Sequence, residues 1–384
     1  DTVRRELRFA EDDETGLDCQ FEPGQFMELQ VPEDVPRQAG VKRAYSLANT
    51  GNWEGLAEFY IRLRPGGAFS SYLREHARVG SRLIAHGPQG AFGLRETGLR
   101  PRWFVAGGTG LAPLLSMVRH MAEWQEPHPA WLVLGVNEEE DVFGLAELDK
   151  VAAELPNTQF AIVDDNSIDL PNVTSLVFAE EQGSFLVGVA AALKSKACHI
   201  GFVGGVDVPL IQKFEAGYTQ GAKAVAPNIK IESKYITPAG DFTGFQDPQK
   251  GNVVATGELD AGADVIYHAA GASGAGVFSA VKAKSTPDSP KYAIGVDSDQ
   301  YLTADPAVRD VIITSMLKRV DVAVYDFIGA VASNNLGALP KIFDLKVDGV
   351  GYSTTGGQVD DIVAQLDAYK NAIINGSITV QSTK

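Results

Sequence analysis

The sequence predicts a multidomain protein in which an N-terminal antiparallel β-barrel is followed by doubly wound, parallel α/β sheets. Three observations lead to this fold class. The chain has 384 residues, which is more than one ordinary domain contains. Its first 98 residues read as short alternating apolar runs between Gly and Pro turns. The later residues alternate buried-strand runs with helical patterns, as parallel sheets require.

Composition disfavours several classes of protein. The formal net charge of −16 argues against a nucleic-acid partner, which needs a basic face. No apolar run is long enough to span a membrane and no signal peptide is visible, so we expect a cytoplasmic location for the sequence as it stands. The two cysteines, Cys19 and Cys198, are too few for an iron–sulfur cluster, and the six histidines show no metal-ligand spacing. We therefore expect no iron–sulfur cluster and no metal site.

Residues 1–98 predict a small closed β-barrel. Its strands are expected in three alternating runs, Gln25–Val31, Ala57–Leu63 and Ser81–His86. Gly- and Pro-containing turns separate these runs, and strands at such spacing are typical of all-β barrels.

A candidate binding surface lies on one strand of this barrel. Arg43 and Tyr45 are two residues apart and so point to one side, with Ser46 opposed. An arginine beside an aromatic ring suits a ligand that is both planar and anionic. Taken singly, Arg43 could instead be a surface ion-pair partner and Tyr45 a half-buried strand residue.

Two glycine-containing turns predict phosphate sites. In the first, a cationic strand end with Arg62 leads through Gly67 into a helix that Ser70 or Ser71 is expected to cap. In the second, residues 104–117, an apolar strand enters a glycine-rich turn and then a helix with Pro113 near its first turn. Such junctions direct backbone N–H groups and the positive end of a helix at a phosphate, although they also serve tight packing.

These motifs, in this order, resemble the ferredoxin–NADP reductase superfamily, in particular the reductase components of methane and aromatic monooxygenases. The similarity runs from about Phe21 to Asp149. It implies that FAD is held by Arg43, Tyr45 and Ser46, with Ser46 in the catalytic position, and that the FAD pyrophosphate lies near Arg62, Gly67 and Ser70. It also implies an NAD(P)H site at Gly107, Gly108, Thr109, Gly110 and Leu111, from which hydride passes to the flavin.

The sequence departs from that superfamily in ways that affect the expected activity. The cysteine-rich iron–sulfur domain of the monooxygenase members and the Cys-Gly-Pro-Pro segment that closes the nicotinamide pocket have no counterpart. The aromatic C-terminal tail that covers the flavin has none either. We therefore expect impaired transfer from NAD(P)H, to an electron acceptor that the sequence does not specify.

Beyond about Leu155, strands and helices alternate in the pattern of a parallel sheet. Strands are expected at Phe160–Asp164, Ile200–Gly205, Ile229–Tyr235, Ala263–Ala269 and Tyr292–Val296, and helices at Gly183–Leu193, Pro209–Ala226 and Gly276–Lys284. Ligands of such sheets bind at the carboxyl ends of the strands. Asp164, Gly271 and Asp297 follow strands in this way.

The motifs of this region resemble the basic membrane protein family, which comprises purine-nucleoside-binding lipoproteins of ABC transporters. They include Gly183-Ser-Phe-Leu-Val-Gly, Ile200-Gly-Phe-Val-Gly-Gly and Gly295-Val-Asp-Ser-Asp-Gln. The resemblance spans about 156–384 and implies a two-lobed, periplasmic-binding-protein-like arrangement. It places Phe214 against a purine base, and Asp164, Asp297 and Lys318 on ribose hydroxyls, with Gly271 allowing close backbone approach. Ignoring the resemblance, Phe214 could be a core aromatic, Asp297 a turn residue and Lys318 a solvated lysine.

The change from one resemblance to the other falls between about Asp149 and Phe160. No Gly/Ser linker separates the two parts, and three runs, Trp103–Gly107, Trp131–Val136 and Phe160–Asp164, can be successive parallel strands of one sheet. Helices are expected between them at Leu114–Glu123 and Leu145–Leu155. We therefore predict a chimera in which the nucleotide-binding half-sheet of a reductase replaces the first units of the N-terminal lobe of a binding protein, with the flavin-type barrel in front of it.

The predicted domains are a barrel at 1–98, a chimeric lobe at 99–198 with part of 300–384, and a second lobe at 199–300. The function that we expect is an FAD-binding oxidoreductase module fused to a truncated nucleoside-binding module. Two alternatives stay open at this point. One is a purine-nucleoside receptor of an ABC transporter, and the other is an engineered chimera with neither activity intact.

Overall fold

A computed structural model describes residues 2–8, 20–51, 55–64, 66–95, 100–126, 128, 130–135 and 159–383. The chain divides into two compact units, Asp1–Leu176 and Val177–Lys384. The predicted helix at Leu145–Leu155 and the residue Cys19 lie outside the described residues. Within the described part, no helix is both long and apolar enough to cross a membrane.

The first unit begins with antiparallel strands, as predicted. They are β1 (Thr2–Arg8), β2 (Phe26–Gln30), β3 (Lys42–Ser46), β4 (Leu56–Arg62) and β5 (Ile84–Gln89), with helix α1 (Ala68–Glu75) between β4 and β5. β1 pairs with β4, and a second sheet has the order β3-β2-β5. Alternation along β2 buries Met27 and Leu29 in a core shared with Phe59 and Phe69.

A parallel four-stranded sheet completes the first unit. Its strands β6 (Arg102–Gly107), β7 (Ala130–Gly135), β8 (Gln159–Val163) and β9 (Val173–Leu176) lie in chain order, and helix α2 (Leu111–Glu123) follows β6. The prediction that β6, β7 and β8 are successive parallel strands is therefore confirmed. Helix α2 buries nearly all of its first two turns against this sheet.

Helix α2 also joins the sheet to the antiparallel strands. The Ser116 hydroxyl donates to the carbonyl of Asn49 at 2.7 Å, and Arg119 lies 3.3 Å from the carboxylate of Glu58 on β4. The other oxygen of Glu58 lies 2.9 Å from Arg4 on β1. Since Glu58 is only 3% exposed, this carboxylate ties three elements together inside the unit.

The second unit is built on a six-stranded sheet with the order β11-β10-β12-β13-β14-β15. These strands are β10 (His199–Val206), β11 (Lys230–Thr237), β12 (Val265–Ala269), β13 (Tyr292–Asp297), β14 (Ile312–Lys318) and β15 (Val350–Tyr352). The pairings are parallel except for β14 with β15. β10 is buried along its whole length, as expected for a central strand covered on both faces.

Seven α-helices are described in the second unit. They are α3 (Glu180–Lys194), α4 (Pro209–Val225), α5 (Pro248–Asp260), α6 (Gly274–Lys284), α7 (Gln300–Thr303), α8 (Val320–Ala332) and α9 (Val363–Ile374). Three of them, α3, α4 and α6, are the ones that the βα pattern predicts. Predicted and observed ends differ by a few residues. α3 and α4 pack closely because Gly188, Gly217 and Gly221 leave room for the backbone of the neighbouring helix.

Candidate functional site

The first candidate surface in the first unit is built where β3 meets α1. The ring of Tyr45 packs against Phe69 with centroids 5.3 Å apart. Burial raises the pKa of the Tyr45 phenol, and the nearby charges of Arg43 and Arg64 only partly oppose this effect. The phenol is therefore neutral at physiological pH and can donate a hydrogen bond. Arg43 is exposed, while Tyr45 and Ser46 are half-buried.

The turn that leads into α1 differs from the prediction in one detail. Ser70 lies inside the helix, and its hydroxyl accepts a hydrogen bond from the backbone N–H of Arg64 at 2.9 Å. Gly67 is the N-cap residue, without a side-chain cap, so the prediction that Ser70 or Ser71 caps the helix is wrong. The Ser70 side chain lies close to Gly67 and binds the backbone of Arg64, so it links the first turn of α1 to the residues that follow β4.

This turn leaves space for a ligand. A Cβ atom added at Gly66 would meet no atom within 4 Å, and the first-turn N–H groups of α1 have no side-chain partner at the cap. Arg62, which was predicted as a phosphate ligand, is half-buried at the end of β4. Arg64, which was not predicted, is exposed, and its charge acts to lower the pKa of Tyr45. The available signal was the place of Arg64 directly before the glycine turn.

The second glycine turn has the predicted strand–turn–helix form. Residues 108–110 form one 3₁₀ turn between β6 and α2, with a positive φ of 49° at Gly108. Cβ atoms at Gly108 and Gly110 would meet no atom of the described residues within 4 Å, and no side chain in that part of the chain caps α2. Among the described residues, the turn from Gly107 to Gly110 therefore offers open space at the positive end of α2, which suits an anionic phosphate, whereas the N–H of Leu111 already donates to the carbonyls of Gly108 and Thr109.

In the second unit, three of the predicted ligand residues lie along one edge of the sheet. Gly271 follows β12, Asp297 ends β13 and Lys318 ends β14, and these three strands are neighbours. Gly271 has a φ of 52°, and Asp297 has a φ of 65°, which is uncommon for a residue with a side chain. A strained backbone held at the carboxyl end of a parallel strand is typical of a ligand site.

The two remaining ligand residues have different surroundings. Phe214 lies in α4 and is 3% exposed. Asp164 belongs to the first unit, where it follows β8 with a φ of 66° and donates its backbone N–H to the carbonyl of Leu176. Its role, like that of the other assigned residues, stays a prediction.

An ionic cluster that was not predicted from the sequence lies beside this edge. Glu180, the first residue of α3, is 1% exposed and lies near both Lys318 and Lys213. Lys318 also lies over the ring of Phe178, 5.3 Å from its centroid. The available signal was the pair of glutamates in the first turn of a helix, which the helix dipole favours.

Together, the two units define a class of fusion protein. Antiparallel strands followed by a parallel sheet with an open glycine turn are the architecture of a flavin- and nicotinamide-dependent reductase module, and the second unit has the parallel sheet of a solute-binding lobe. Family models agree with this division. Residues 4–93 match the oxidoreductase FAD-binding domain and residues 104–173 match the oxidoreductase NAD-binding domain.

The larger match covers residues 143–384 and is to the PnrA-like ABC transporter substrate-binding proteins. This chain belongs to that family and carries the two oxidoreductase domains in front of it. The NAD-binding and PnrA-like matches overlap at 143–173, which includes β8. These matches confirm the predicted fusion of the two families, whereas the replacement of the first units of the binding protein by the reductase half-sheet stays a prediction.

Curated relatives show the same two resemblances. Methane monooxygenase component C of Methylosinus trichosporium is 40% identical over 179 residues, which are 45% of this chain and 51% of that protein. The nucleoside-binding protein BmpA of the ABC transporter of Lactococcus lactis is 36% identical over 252 residues, 62% of this chain and 69% of that protein. The chain thus spans between about half and about two thirds of the length of these relatives.

A solved structure extends the likeness at the level of the fold. The solute-binding protein of an ABC transporter system from Aeropyrum pernix K1 matches 75% of this chain and 94% of its own, with a TM-score of 0.52 and 23% identity. This structure matches 75% of the chain, which is a larger share than residues 143–384, the part that the PnrA-like family model matches. The fold likeness therefore includes part of the first unit.

Proposed function

We propose that the first unit is a flavin-dependent oxidoreductase module that binds FAD and draws hydride from NAD(P)H. The observation that carries this proposal is the open glycine turn at Gly108–Gly110, at the start of an uncapped helix. In the same unit, β3 carries an exposed arginine beside a half-buried tyrosine. When bound, FAD would supply the hydride-accepting ring that no amino-acid side chain provides.

The residues of this unit would divide the work of binding. Tyr45 would stack on the isoalloxazine ring of FAD and donate a hydrogen bond from its phenol. Ser46 would hydrogen-bond the edge of that ring that accepts the hydride. Arg43 and Arg64 would bind the pyrophosphate, together with the N–H groups at Gly67 and the start of α1. The turn from Gly107 to Leu111 would bind the nicotinamide nucleotide by its pyrophosphate. This assignment leaves the electron acceptor unspecified.

The visible absorbance spectrum of the purified chain, with and without added FAD, tests the flavin proposal. We expect bound-flavin absorbance, and we expect Arg43→Ala to weaken FAD binding about tenfold, the effect of one charge-assisted phosphate contact. Lys42→Ala is the matched control, because Lys42 is the neighbouring exposed cation and pairs with Glu28. A chain that gains no flavin absorbance, or equal losses in both variants, would contradict the proposal.

Anaerobic stopped-flow mixing of the FAD-loaded chain with NADH tests the hydride step separately. We expect reduction of the flavin, slowed because the segment that closes the nicotinamide pocket in related reductases has no counterpart. Flavin binding without any reduction would restrict the first unit to flavin binding.

A second function is favoured by the row of Gly271, Asp297 and Lys318. We propose that the second unit binds a nucleoside, with Asp297 and Lys318 on ribose hydroxyls and Gly271 admitting the backbone to the ligand. Support comes from the position of these residues on adjacent strand ends and from the PnrA-like family match. We also propose the domain division predicted from the sequence, with a barrel at 1–98, one lobe at 99–198 with part of 300–384, and a second lobe at 199–300.

Isothermal titration calorimetry with inosine, guanosine and adenosine tests nucleoside binding by the full chain. We expect a micromolar dissociation constant for at least one of them, and a loss of about tenfold or more in Asp297→Asn. Asp310→Asn is the control, since Asp310 is an exposed carboxylate paired with Lys282. No heat at high micromolar ligand would overturn this second function.

A further inference from the structure

Glu180 is a buried carboxylate held between two lysines. It opens helix α3, and one of its oxygens lies 3.3 Å from the ammonium of Lys213 while the other lies 3.6 Å from that of Lys318. Glu180 is 1% exposed, and the side chain of Lys318 is 8% exposed. Glu180 and Lys318 are poorly solvated, so their charges interact strongly, and the buried carboxylate is stable because ammonium groups lie beside it.

Both lysines stand next to residues assigned to ligand binding. Lys318 ends β14, where its neighbour Leu317 is the register partner of Asp297, and Lys213 immediately precedes Phe214 on α4. The electrostatic influence of Glu180 and of Asp297 reaches the same buried side chain, Tyr267. The glutamate therefore acts on the same end of the sheet as the proposed nucleoside site.

The formal charges of four groups in and beside this cluster balance. Lys213 and Lys318 contribute two positive charges, and Glu180 and Asp297 contribute two negative ones. A fifth group, Glu181, faces Lys213, and burial raises the pKa of its carboxyl. The cluster has no net positive charge, whether Glu181 is counted as neutral or as an anion, so it gives little attraction to an anion and retains hydrogen-bonding groups for a neutral ligand.

We propose that Glu180 determines the charge specificity of the second unit. By pairing with Lys213 and Lys318, it withholds both ammonium groups from a phosphate, so that the site takes an uncharged nucleoside in preference to a nucleoside 5′-monophosphate. This inference rests on the proposed nucleoside function and adds a discriminating residue that does not itself bind the ligand. Replacing Glu180 by glutamine keeps its shape and releases one positive charge.

Calorimetric titration of the full chain with inosine and with inosine 5′-monophosphate tests the proposal. We expect the unchanged chain to bind inosine at least tenfold tighter than the monophosphate. In Glu180→Gln, this ratio should fall at least fivefold, chiefly through tighter binding of the monophosphate. Asp361→Asn is the matched control, because it breaks an exposed ion pair with Lys194 at the other end of α3 and should leave the ratio unchanged.

Lys213→Gln provides a second, independent variant. The side chain of Lys213 is 33% exposed, so its replacement is compatible with folding even if Glu180→Gln does not fold. Because Lys213→Gln leaves excess negative charge in the cluster, we expect this variant to raise the preference for inosine over inosine 5′-monophosphate at least threefold.

The outcomes distinguish the charge-specificity role of Glu180 from the nucleoside-binding function on which it rests. Equal losses for both ligands in the two variants would make Glu180 a structural residue and overturn the charge-specificity role. An unchanged ratio in both would overturn it as well. If the unchanged chain binds neither ligand, the nucleoside function fails and the specificity role fails with it.

Discussion

Glycines in selected places of the two units serve opposite purposes. In the first unit, a Cβ atom added at Gly66, Gly108 or Gly110 would meet no atom of the described residues within 4 Å. In the second unit, a Cβ at Gly217 or Gly221 would overlap a backbone carbonyl of α3. The first set leaves room for a ligand and the second lets two helices touch. A glycine-rich motif therefore predicts a binding turn only when its surroundings are open.

Buried carboxylates show a second contrast. Glu58 in the first unit lies between Arg4 and Arg119. Glu258 in the second unit is fully buried on α5, and neither of its oxygens has a hydrogen-bond partner among the described residues. Burial raises the pKa of Glu258 to about 9, against a partly opposing influence from Lys234. Glu58 therefore lies beside two cationic groups, whereas Glu258 is tolerated as a neutral acid.

The largest effect is expected from filling the contact between α3 and α4. Gly217→Ala would place a methyl group on the carbonyl of Glu181 and force the helices apart, lowering the free energy of unfolding by about 3 kcal/mol or more. Urea denaturation measures this loss. Gly329→Ala in α8 is the control, since a Cβ there meets nothing within 4 Å and should stabilise the helix by about 0.5–1 kcal/mol. Equal effects would remove the distinction between open and filled glycines.

Glu258→Gln should stabilise the protein in a pH-dependent way. A carboxyl whose pKa is raised from 4.5 to about 9 on folding stabilises the folded state below pH 4.5 and loses that contribution progressively as the pH rises towards 9. At pH 7 the difference amounts to about 3 kcal/mol, which sets an upper bound on the gain from glutamine. Thermal unfolding at pH 5, 7 and 8.5 should show the gain growing with pH. A gain that is the same at all three values would contradict neutral burial of Glu258.

Glu58→Gln should destabilise the protein, which is the opposite of the effect expected for Glu258→Gln. Removing the charge leaves Arg119 partly buried without its carboxylate, and we expect a loss of about 2 kcal/mol in the free energy of unfolding of the first unit. Glu6→Gln is the matched control, because Glu6 is an exposed partner of the same Arg4 and should cost less than about 0.5 kcal/mol. If Glu58→Gln is as mild as Glu6→Gln in urea denaturation, the two buried carboxylates do not differ as proposed.

The smallest effect on stability is expected at the open turn. Gly110→Ala adds a methyl group where φ is −62° and no atom lies nearby, so the free energy of unfolding should change by less than about 0.5 kcal/mol. The same methyl group would occupy the space proposed for a phosphate. We therefore expect flavin reduction by NADH to slow at least tenfold while FAD affinity is unchanged. Reduction at the original rate would mean that this turn serves packing alone.

Much of the fold follows from the order of residues. Apolar runs with period two predicted β2 and β4, and longer helical patterns predicted α2 and α4, because each pattern reflects which face of one element is buried. The parallel order of β6, β7 and β8 followed from three apolar runs that alternate with two helical segments. Strand ends are local features too, so Gly271 and Asp297 could be assigned to strand ends before any contact was known, whereas Lys318 was assigned only by the family resemblance.

Contacts between distant parts of the chain were decided only by the tertiary structure. Glu180 and Lys318 are far apart in sequence, and nothing in either local pattern indicates that they pair. The same holds for Glu58 with Arg4 and Arg119. Ser70 looks like a helix cap by its position, yet the path of the backbone turns its hydroxyl onto Arg64. Periodicity reports the burial of one face, whereas the partner of a buried charge and the space beside a glycine depend on how separate elements pack.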